Sequence, residues 1–188
     1  MAIASLPENE TSRLAALRQL NLIHSPATPE FDSIVEAAAE IFDCPISLVS
    51  LVEEDTQWFK ANCGLDATGT SRDVAFCAHA ILSAELMVVP DATQDRRFQN
   101  NALVTGAPHI RFYAGCPLSI DGEHRLGTLC VIDTKPRQPT DAQLRQLRRL
   151  GTAVEGLIRA HESTQKSETI LENAMAQEQQ FRRHAGLL

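Results

Sequence analysis

Apolar positions recur along this chain in two periods, and the change from one to the other marks out its elements. Leu14, Leu17, Leu20 and Ile23 follow helical spacing after Thr11 or Ser12, either of which can cap a helix, and His24-Ser25-Pro26 ends the stretch. Thr28 caps a second helix with Pro29 at its first position and Glu30 in its first turn. Its stripe is Phe31, Ile34, Val35, Ala38, Ile41 and Phe42, and Pro45 closes it. From Ile46 the period falls to two. Ile46–Val52 reads as a strand, Glu53-Glu54-Asp55 as an acidic turn, and Thr56–Cys63 as the returning strand. Residues 64–73 read as loop, 74–82 as a short apolar helix, and 86–89, closed by Pro90, as a third strand. Residues 91–108 are irregular, with helical turns expected around 95–98 and 101–105; loops of that length inside a compact domain tend to carry function.

The stretch from His109 to Asp133 organises the rest. Two apolar runs, 111–120 and 124–132, flank Asp121-Gly122-Glu123, a strong hairpin signal because Gly accepts the positive φ of a tight turn. The second run is apolar on both faces, which predicts a central strand covered on both sides. Pro117 in the first run cannot donate to a ladder and predicts a bulge or frayed pairing there.

After Pro136 and Pro139, Thr140 caps a long helix. Leu144, Leu147, Leu150, Val154 and Leu157 fall on the alternating three–four spacing of a heptad seam. The seam weakens at His161, Thr164 and Glu168 and resumes in phase at Leu171 and Met175. An amphipathic helix packing on its own sheet accounts for the first part equally well. Beyond Ala160, however, 28 residues at 1.5 Å each extend the helix by about 42 Å, and a solitary helix of that length is marginal in water. A parallel homodimer paired through Leu147, Leu150, Val154, Leu157, Leu171 and Met175 is therefore expected. The helix ends without cap or destination, which suggests a piece of a longer chain.

Composition narrows the function classes. The net charge of −7 lies before residue 141, since residues 141–188 hold seven Lys/Arg against six Asp/Glu. Such an acidic body disfavours a phosphate backbone, so no nucleic-acid partner is expected. No apolar run approaches membrane-spanning length and no secretory leader is recognisable, which reads as cytoplasmic. Five cysteines without a CxxC pair argue against a disulfide framework and the usual zinc spacings.

The order of elements predicts an α+β domain: an antiparallel sheet of five to six strands with helices on both sides, and a long C-terminal helix. At this point the chain resembles a GAF domain (GAF/PAS-like in fold) of the bacterial kind found N-terminal to histidine kinase or diguanylate cyclase output domains. The residues that carry the resemblance are Leu20-Asn21-Leu22-Ile23, Phe31-Asp32, Pro45 to Val52, Gln57-Trp58-Phe59-Lys60, Gly64-Leu65, Phe76 to Ile81, Val88 to Ala92, Asp95 to Phe98, Arg111 to Gly115 and Leu126 to Asp133. The boundaries it implies are a polar leader over 1–10, a GAF domain over 11–158 and a signalling helix over 159–188. The implied function is a sensory or regulatory domain that binds an unknown small molecule, or relays a signal as a dimer, to a kinase or cyclase domain in a longer chain. The resemblance names no cofactor. One alternative is an enzyme similar to the GAF-fold free methionine-R-sulfoxide reductases, with a reactive Cys77; another is a ligand-free dimerisation scaffold.

The resemblance places a pocket between the sheet, the 76–82 helix and the 91–108 loops, bordered by Phe76, Cys77, His79, Asp91, Arg97, His109, Arg111 and Tyr113. A Tyr or Arg there fixes an anionic or amphipathic ligand; the simpler role for Arg97 is to pair with Asp91 or Asp95 and brace the loop. Cys77 and His79 are two apart and point away from each other on a helix, so a Cys–His pair needs another partner, such as His109. Without one, Cys77 packs as a small hydrophobe. A metal set of Cys77, His79, His109 and Cys116 matches no familiar spacing, and none is expected. Bilin attachment uses a Cys-His dipeptide, which Ala78 interrupts here. The Asn-Lys…Phe…Asp-Glu signature of cyclic-nucleotide GAF domains is missing. Trp58 is expected in the core or at a dimer surface.

Overall fold

The computed structural model describes residues 2–184. Helices α1 (Glu10–Gln19) and α2 (Pro29–Phe42) precede the hairpin β1 (Ile46–Val52) and β2 (Thr56–Cys63). There follow β3 (Gly69–Ser71), a 3-10 turn (Arg72–Val74), α3 (Phe76–Ala80), β4 (Met87–Val89), α4 (Ala102–Thr105), β5 (Phe112–Leu118), β6 (Gly127–Asp133) and α5 (Asp141–His184). The six strands form one sheet in the order β3-β2-β1-β6-β5-β4, every neighbouring pair antiparallel. Among the described residues, no helix is long and apolar enough to cross a membrane.

Strands β1, β5 and β6 are buried at every position, so both faces of the sheet need cover. Alternation divides their side chains. Val49, Leu51, Phe112, Ala114, Leu129 and Val131 pack under α1, α2 and α5, against Leu17, Phe31, Val35 and Val154. Ile46, Leu48, Val52, Tyr113, Cys130 and Ile132 face the other way, toward Phe76, Phe98 and Val104 from α3, α4 and the loop between them. The second hairpin strand carries one residue too many: Val49 stands opposite Ala61 and Ser50 opposite Phe59, which leaves Lys60 as a bulge. The extra residue turns Ala61 to the helical face while Phe59 and Gln57 keep the opposite one. The Lys60 ammonium, thus placed, donates to Ser25 Oγ at 2.8 Å and to the Pro26 carbonyl at 2.6 Å.

Several local expectations change. Helix α1 begins at Glu10, after Asn9 rather than after Thr11 or Ser12. The loop over 64–73 contains β3, and the helix over 74–82 shrinks to five residues. Pro117 causes no bulge: the β5–β6 ladder runs through Pro117↔Thr128 in unbroken register, and β4 has already ended opposite Gly115. The connection between these strands is longer than a tight turn. The Asp121 carboxylate organises it by accepting from the Glu123 and His124 amides at 2.9 and 2.8 Å, and Gly122 takes the expected positive φ of 80°. At the start of α5, Thr140 and Gln143 form a reciprocal capping box: the Gln143 amide donates to Thr140 Oγ1 at 3.2 Å, and Gln143 Oε1 accepts from the Thr140 amide at 2.9 Å.

The largest change concerns α5. Its buried stripe is Leu147, Gly151, Val154 and Ile158, and all of it faces the helix's own sheet. Leu147 and Val154, assigned above to a dimer seam, are fully buried in the monomer; Leu150 and Leu157 are half-buried against the same core. A three–four spacing serves one sheet as well as one partner helix, and here the sheet takes it. Leu171 and Met175 are exposed, at 61% and 53%.

Glu10 clamps the first helix to the sheet rim. Its carboxylate bridges the buried Arg13, at 2.8 Å, and Arg72, while Arg13 donates to the Val52 carbonyl at 2.8 Å. Burial would raise the Glu10 pKa, but the two guanidiniums outweigh it and hold the carboxyl at about 2. A group with a depressed folded-state pKa stabilises the fold above its unfolded value of 4.5 and loses that contribution as pH falls toward 2. We expect urea midpoints to fall across that window, and the Glu10→Gln chain to lose less stability over it. Equal acid slopes in the two chains would show that the clamp does not act through charge.

Candidate ligand cavity

The two faces of the sheet are not covered alike. Three helices seal one side; the five-residue α3, the four-residue α4 and loops roof the other. Beneath that thinner roof lies a cavity of about 280 Å³. Its floor is Ile46, Leu48, Gln57, Phe59, Tyr113 and Ile132 on the sheet; Phe76 and Cys77 of α3 form one wall. Leu65 and Ala67 close it from the loop after β2, Thr70 from β3, and Leu103, Ala107, Pro108 and Ile110 from the segment before β5.

Aromatic packing fixes the roof. Phe76 stacks on Phe98 at 3.9 Å between centroids and leans on Tyr113 at 5.3 Å. Tyr113 lies along its own strand because Gly115 leaves room: a Cβ there would overlap the Tyr113 ring and hydroxyl. That hydroxyl reaches a buried polar seam at the sheet centre, 3.5 Å from both Cys77 Sγ and Thr128 Oγ1. Thr128 Oγ1 donates to Cys77 Sγ at 3.0 Å, Ser50 Oγ donates to Gln57 Oε1 at 3.0 Å, and Gln57 Nε2 donates to Thr70 Oγ1 at 2.7 Å. Burial and the neighbouring Cys77 push the Tyr113 phenol well above its usual range, so it stays a neutral donor.

Among the described residues, no charged side chain lines the cavity. Of the eight residues expected around it, Phe76, Cys77 and Tyr113 do; His79, Asp91, Arg97, His109 and Arg111 do not. Those five hold loops in place or face solvent. Arg97 pairs with Asp95 at 2.6 Å and covers the outer face of the Phe98 ring. Asp91 accepts from the Thr93 amide and hydroxyl at 3.0 and 2.7 Å. Arg111 donates to the Val104 and Ile110 carbonyls, both at 3.0 Å. His79 contacts the Ala2 carbonyl at 3.2 Å and the edge of Phe98, and burial lowers its pKa. His109 is exposed. Loop charges near a cavity mouth are cheaper to satisfy with loop carbonyls than to bury in an apolar wall.

Gln57, Thr70, Leu65 and Ala67 were not anticipated. Gln57 carried a signal: it shares the period-two face of Phe59, where a polar residue in a buried strand needs a partner. Trp58 faces the helical side, half-buried, with His24 edge-on at 5.6 Å. Cys116 lies in the helical core across the sheet from Cys77, so the metal set of Cys77, His79, His109 and Cys116 does not assemble. Among the described residues no His/Cys/Asp/Glu cluster is arranged to hold a metal.

The comparisons agree with this architecture. The family model for the GAF domain matches residues 28–158. The chain belongs to the GAF domain family. It is 47% identical over 139 residues to a cyclic di-GMP phosphodiesterase of Pseudomonas aeruginosa, covering 74% of this chain but 24% of that protein. Among solved structures it resembles the GAF domain of an Acinetobacter phosphoenolpyruvate-protein phosphotransferase, with TM-score 0.60, 17% identity, and 84% of this chain and 97% of the other covered. It also resembles the free methionine-R-sulfoxide reductase of Neisseria meningitidis, with TM-score 0.59, 16% identity, and 87% and 98% covered. At such identities these two likenesses establish the fold alone. The likeness to the phosphodiesterase places this GAF chain beside domains of bacterial signalling proteins.

Two side chains test the cavity wall directly. Tyr113→Phe removes one neutral donor and keeps the ring, and we expect it to cost about 1 kcal/mol in urea unfolding. Gly115→Val drives a branched side chain into the space of the Tyr113 hydroxyl and is expected to cost more than Tyr113→Phe. The reverse order would show that the hydroxyl, not the close approach, fixes the ring.

Proposed function

We propose that this GAF domain is a regulatory unit of a bacterial signalling protein in the cytoplasm, that its cavity takes a neutral, largely apolar small molecule, and that α5 joins it to a second copy and to an output domain. One observation carries the ligand class: about 280 Å³ of space walled by apolar side chains, with only Gln57, Thr70, Cys77 and Tyr113 offering polar atoms. An anion entering it would lose its water and find no cation, which costs several kcal/mol. Cyclic di-GMP, with two phosphodiesters, is therefore a poor guest, whatever the output domain does. The space favours a sensing role over a scaffold filled by its own side chains. The output class now extends from kinase or cyclase to a cyclic di-GMP phosphodiesterase, the activity in the name of the Pseudomonas relative.

Indole and indole-3-carboxylate differ by one charge and test the ligand class. At ten times its dissociation constant, indole is expected to raise Tm by roughly 3–6 °C. The carboxylate at the same concentration is expected to leave Tm unchanged, and Ala67→Trp, which fills the cavity from its rim, to abolish the indole response. Equal shifts from both compounds would overturn the neutral-ligand reading.

The dimer reading now rests on the far part of α5. Past His161, whose Nε2 lies 2.9 Å from the Leu20 carbonyl, the helix leaves the domain and exposes Ile170, Leu171, Met175 and Phe181, each more than half exposed. Such a helix gains stability from a partner. Sedimentation is expected to give twice the monomer mass for the full chain and a monomer for a chain ending at Ala160. Monomeric mass for both would refute pairing through this segment.

A further inference from the structure

The polar atoms of the cavity gather at one end of it. Thr70 of β3 stands opposite Gln57 of β2, and Ser50 of β1 opposite Thr128 of β6. Tyr113 sits farther along β5, opposite Ile132, but its ring runs over Gly115 and carries the hydroxyl to Thr128. The opposite end is apolar. Ile46 pairs with Ile132 there, and Ile110 enters just ahead of β5 beside them, its amide held by the Leu103 carbonyl at 2.8 Å.

Most groups in the polar row have no hydrogen left for a guest. The Tyr113 hydroxyl donates to Cys77 Sγ at 3.5 Å, and Thr128 Oγ1 to the same sulfur at 3.0 Å. Ser50 Oγ gives its hydrogen to Gln57 Oε1 and Thr70 Oγ1 its own to the Ser71 carbonyl, both at 3.0 Å. The Gln57 amide differs, because it carries two N–H groups and uses one, toward Thr70 Oγ1 at 2.7 Å. Among the described residues nothing accepts from the other. Turning the amide over does not change the balance: Ser50 would then accept and Thr70 donate, with one N–H again left over. Gln57 lines the cavity and is only 5% exposed, and a buried N–H without an acceptor is costly. Cys77 adds at most a weak S–H donor.

We propose that Gln57 sets the specificity of the cavity, selecting neutral guests that carry a hydrogen-bond acceptor, such as a carbonyl oxygen, at one end of an apolar frame. The oxygen lies at the corner of β2 and β3, and the frame extends toward Ile132 and Ile110. The proposal rests on the neutral-guest reading above and narrows it. A carbonyl oxygen gives up far less hydration than a carboxylate and regains a hydrogen bond from Gln57. A hydrocarbon of the same outline fills the space equally well and leaves the amide N–H buried without a partner, which is how a site built to hydrogen-bond rejects an analogue.

Acetophenone and α-methylstyrene share one outline, with a carbonyl oxygen in the first where the second has a methylene. Calorimetric titration of both into the full chain and into the Gln57→Met chain separates the amide from general apolar affinity. The ratio of the two dissociation constants is expected to favour acetophenone by roughly three- to tenfold more in the unsubstituted chain than in Gln57→Met. A second readout needs no variant. The infrared carbonyl stretch of acetophenone bound to the unsubstituted chain is expected below its position in alkane, as a hydrogen-bonded carbonyl requires. An alkane-like stretch, or the same ratio in both chains, overturns the role of Gln57 while the indole response stands. Failure of both compounds and of indole to bind overturns the neutral-guest reading, and this proposal with it.

Discussion

The constraint behind this domain is a sheet whose three inner strands are apolar on both faces. A strand buried on one face can leave the other to water; β1, β5 and β6 cannot, since every position along them is buried. Two layers of cover are therefore obligatory, at about 25 cal/mol for each Å² of apolar surface withdrawn. The chain supplies them unequally. Its three longest helices lie on one face, and the other receives five residues of α3, four of α4 and connecting loops. A roof of loops over a flat apolar floor leaves space that close-packed helices do not. The cavity follows from the economy of the fold before any ligand is considered.

Polar groups at the cavity floor give that space fixed hydrogen-bonding points. Ser50, Gln57, Thr70, Thr128 and Tyr113 would each be costly in an apolar layer if left unpaired. They are paired with one another instead, through Gln57 and around Cys77. Such a network holds its members in fixed orientations because any rotation leaves a buried group unsatisfied. Neutral donors thus stand at fixed places in a wall that otherwise repels water, and charge is kept to the outside. Arg97, Arg111 and Asp91 do the outside work, Arg97 pairing with the Asp95 carboxylate, Arg111 donating to the Val104 carbonyl and Asp91 accepting from the Thr93 amide.

Much of the architecture was legible in residue patterns. Pro29 and Pro45 bracket α2, period-two runs mark β1 and β2, and the doubly apolar run before Asp133 is central in the sheet. What escaped has physical causes. The bulge at Lys60 shifts strand parity by one residue, and nothing in Trp58-Phe59-Lys60-Ala61 announces it. Gln57 and Thr70 meet only after β3 pairs with β2, a three-residue contact below the reach of periodicity. The loop charges looked like pocket residues because they are near the pocket in sequence, whereas desolvation sends them away from it in space. Leu147 and Val154 suited a partner helix and a sheet alike; only the position of β5 and β6 decides for the sheet.

Those same strands connect the cavity to the helix that leaves the domain. Along β5, Tyr113 faces the cavity, while Phe112 and Ala114, its immediate neighbours, face the core that α5 helps to build. On β6, Cys130 and Ile132 face the cavity, and Leu129 and Val131 the helices. The two environments are one peptide plane apart. Close-packed interiors shift as units rather than yielding continuously. On the proposed reading, a guest that displaces β5 or β6 must therefore be felt at Leu147, Gly151, Val154 and Ile158, the buried stripe of α5. The helix runs unbroken from that stripe to His184, so a rotation or shift at its buried end is carried to the exposed residues where a partner would read it. On that reading, only a strand's thickness separates what the cavity holds from what the helix reports.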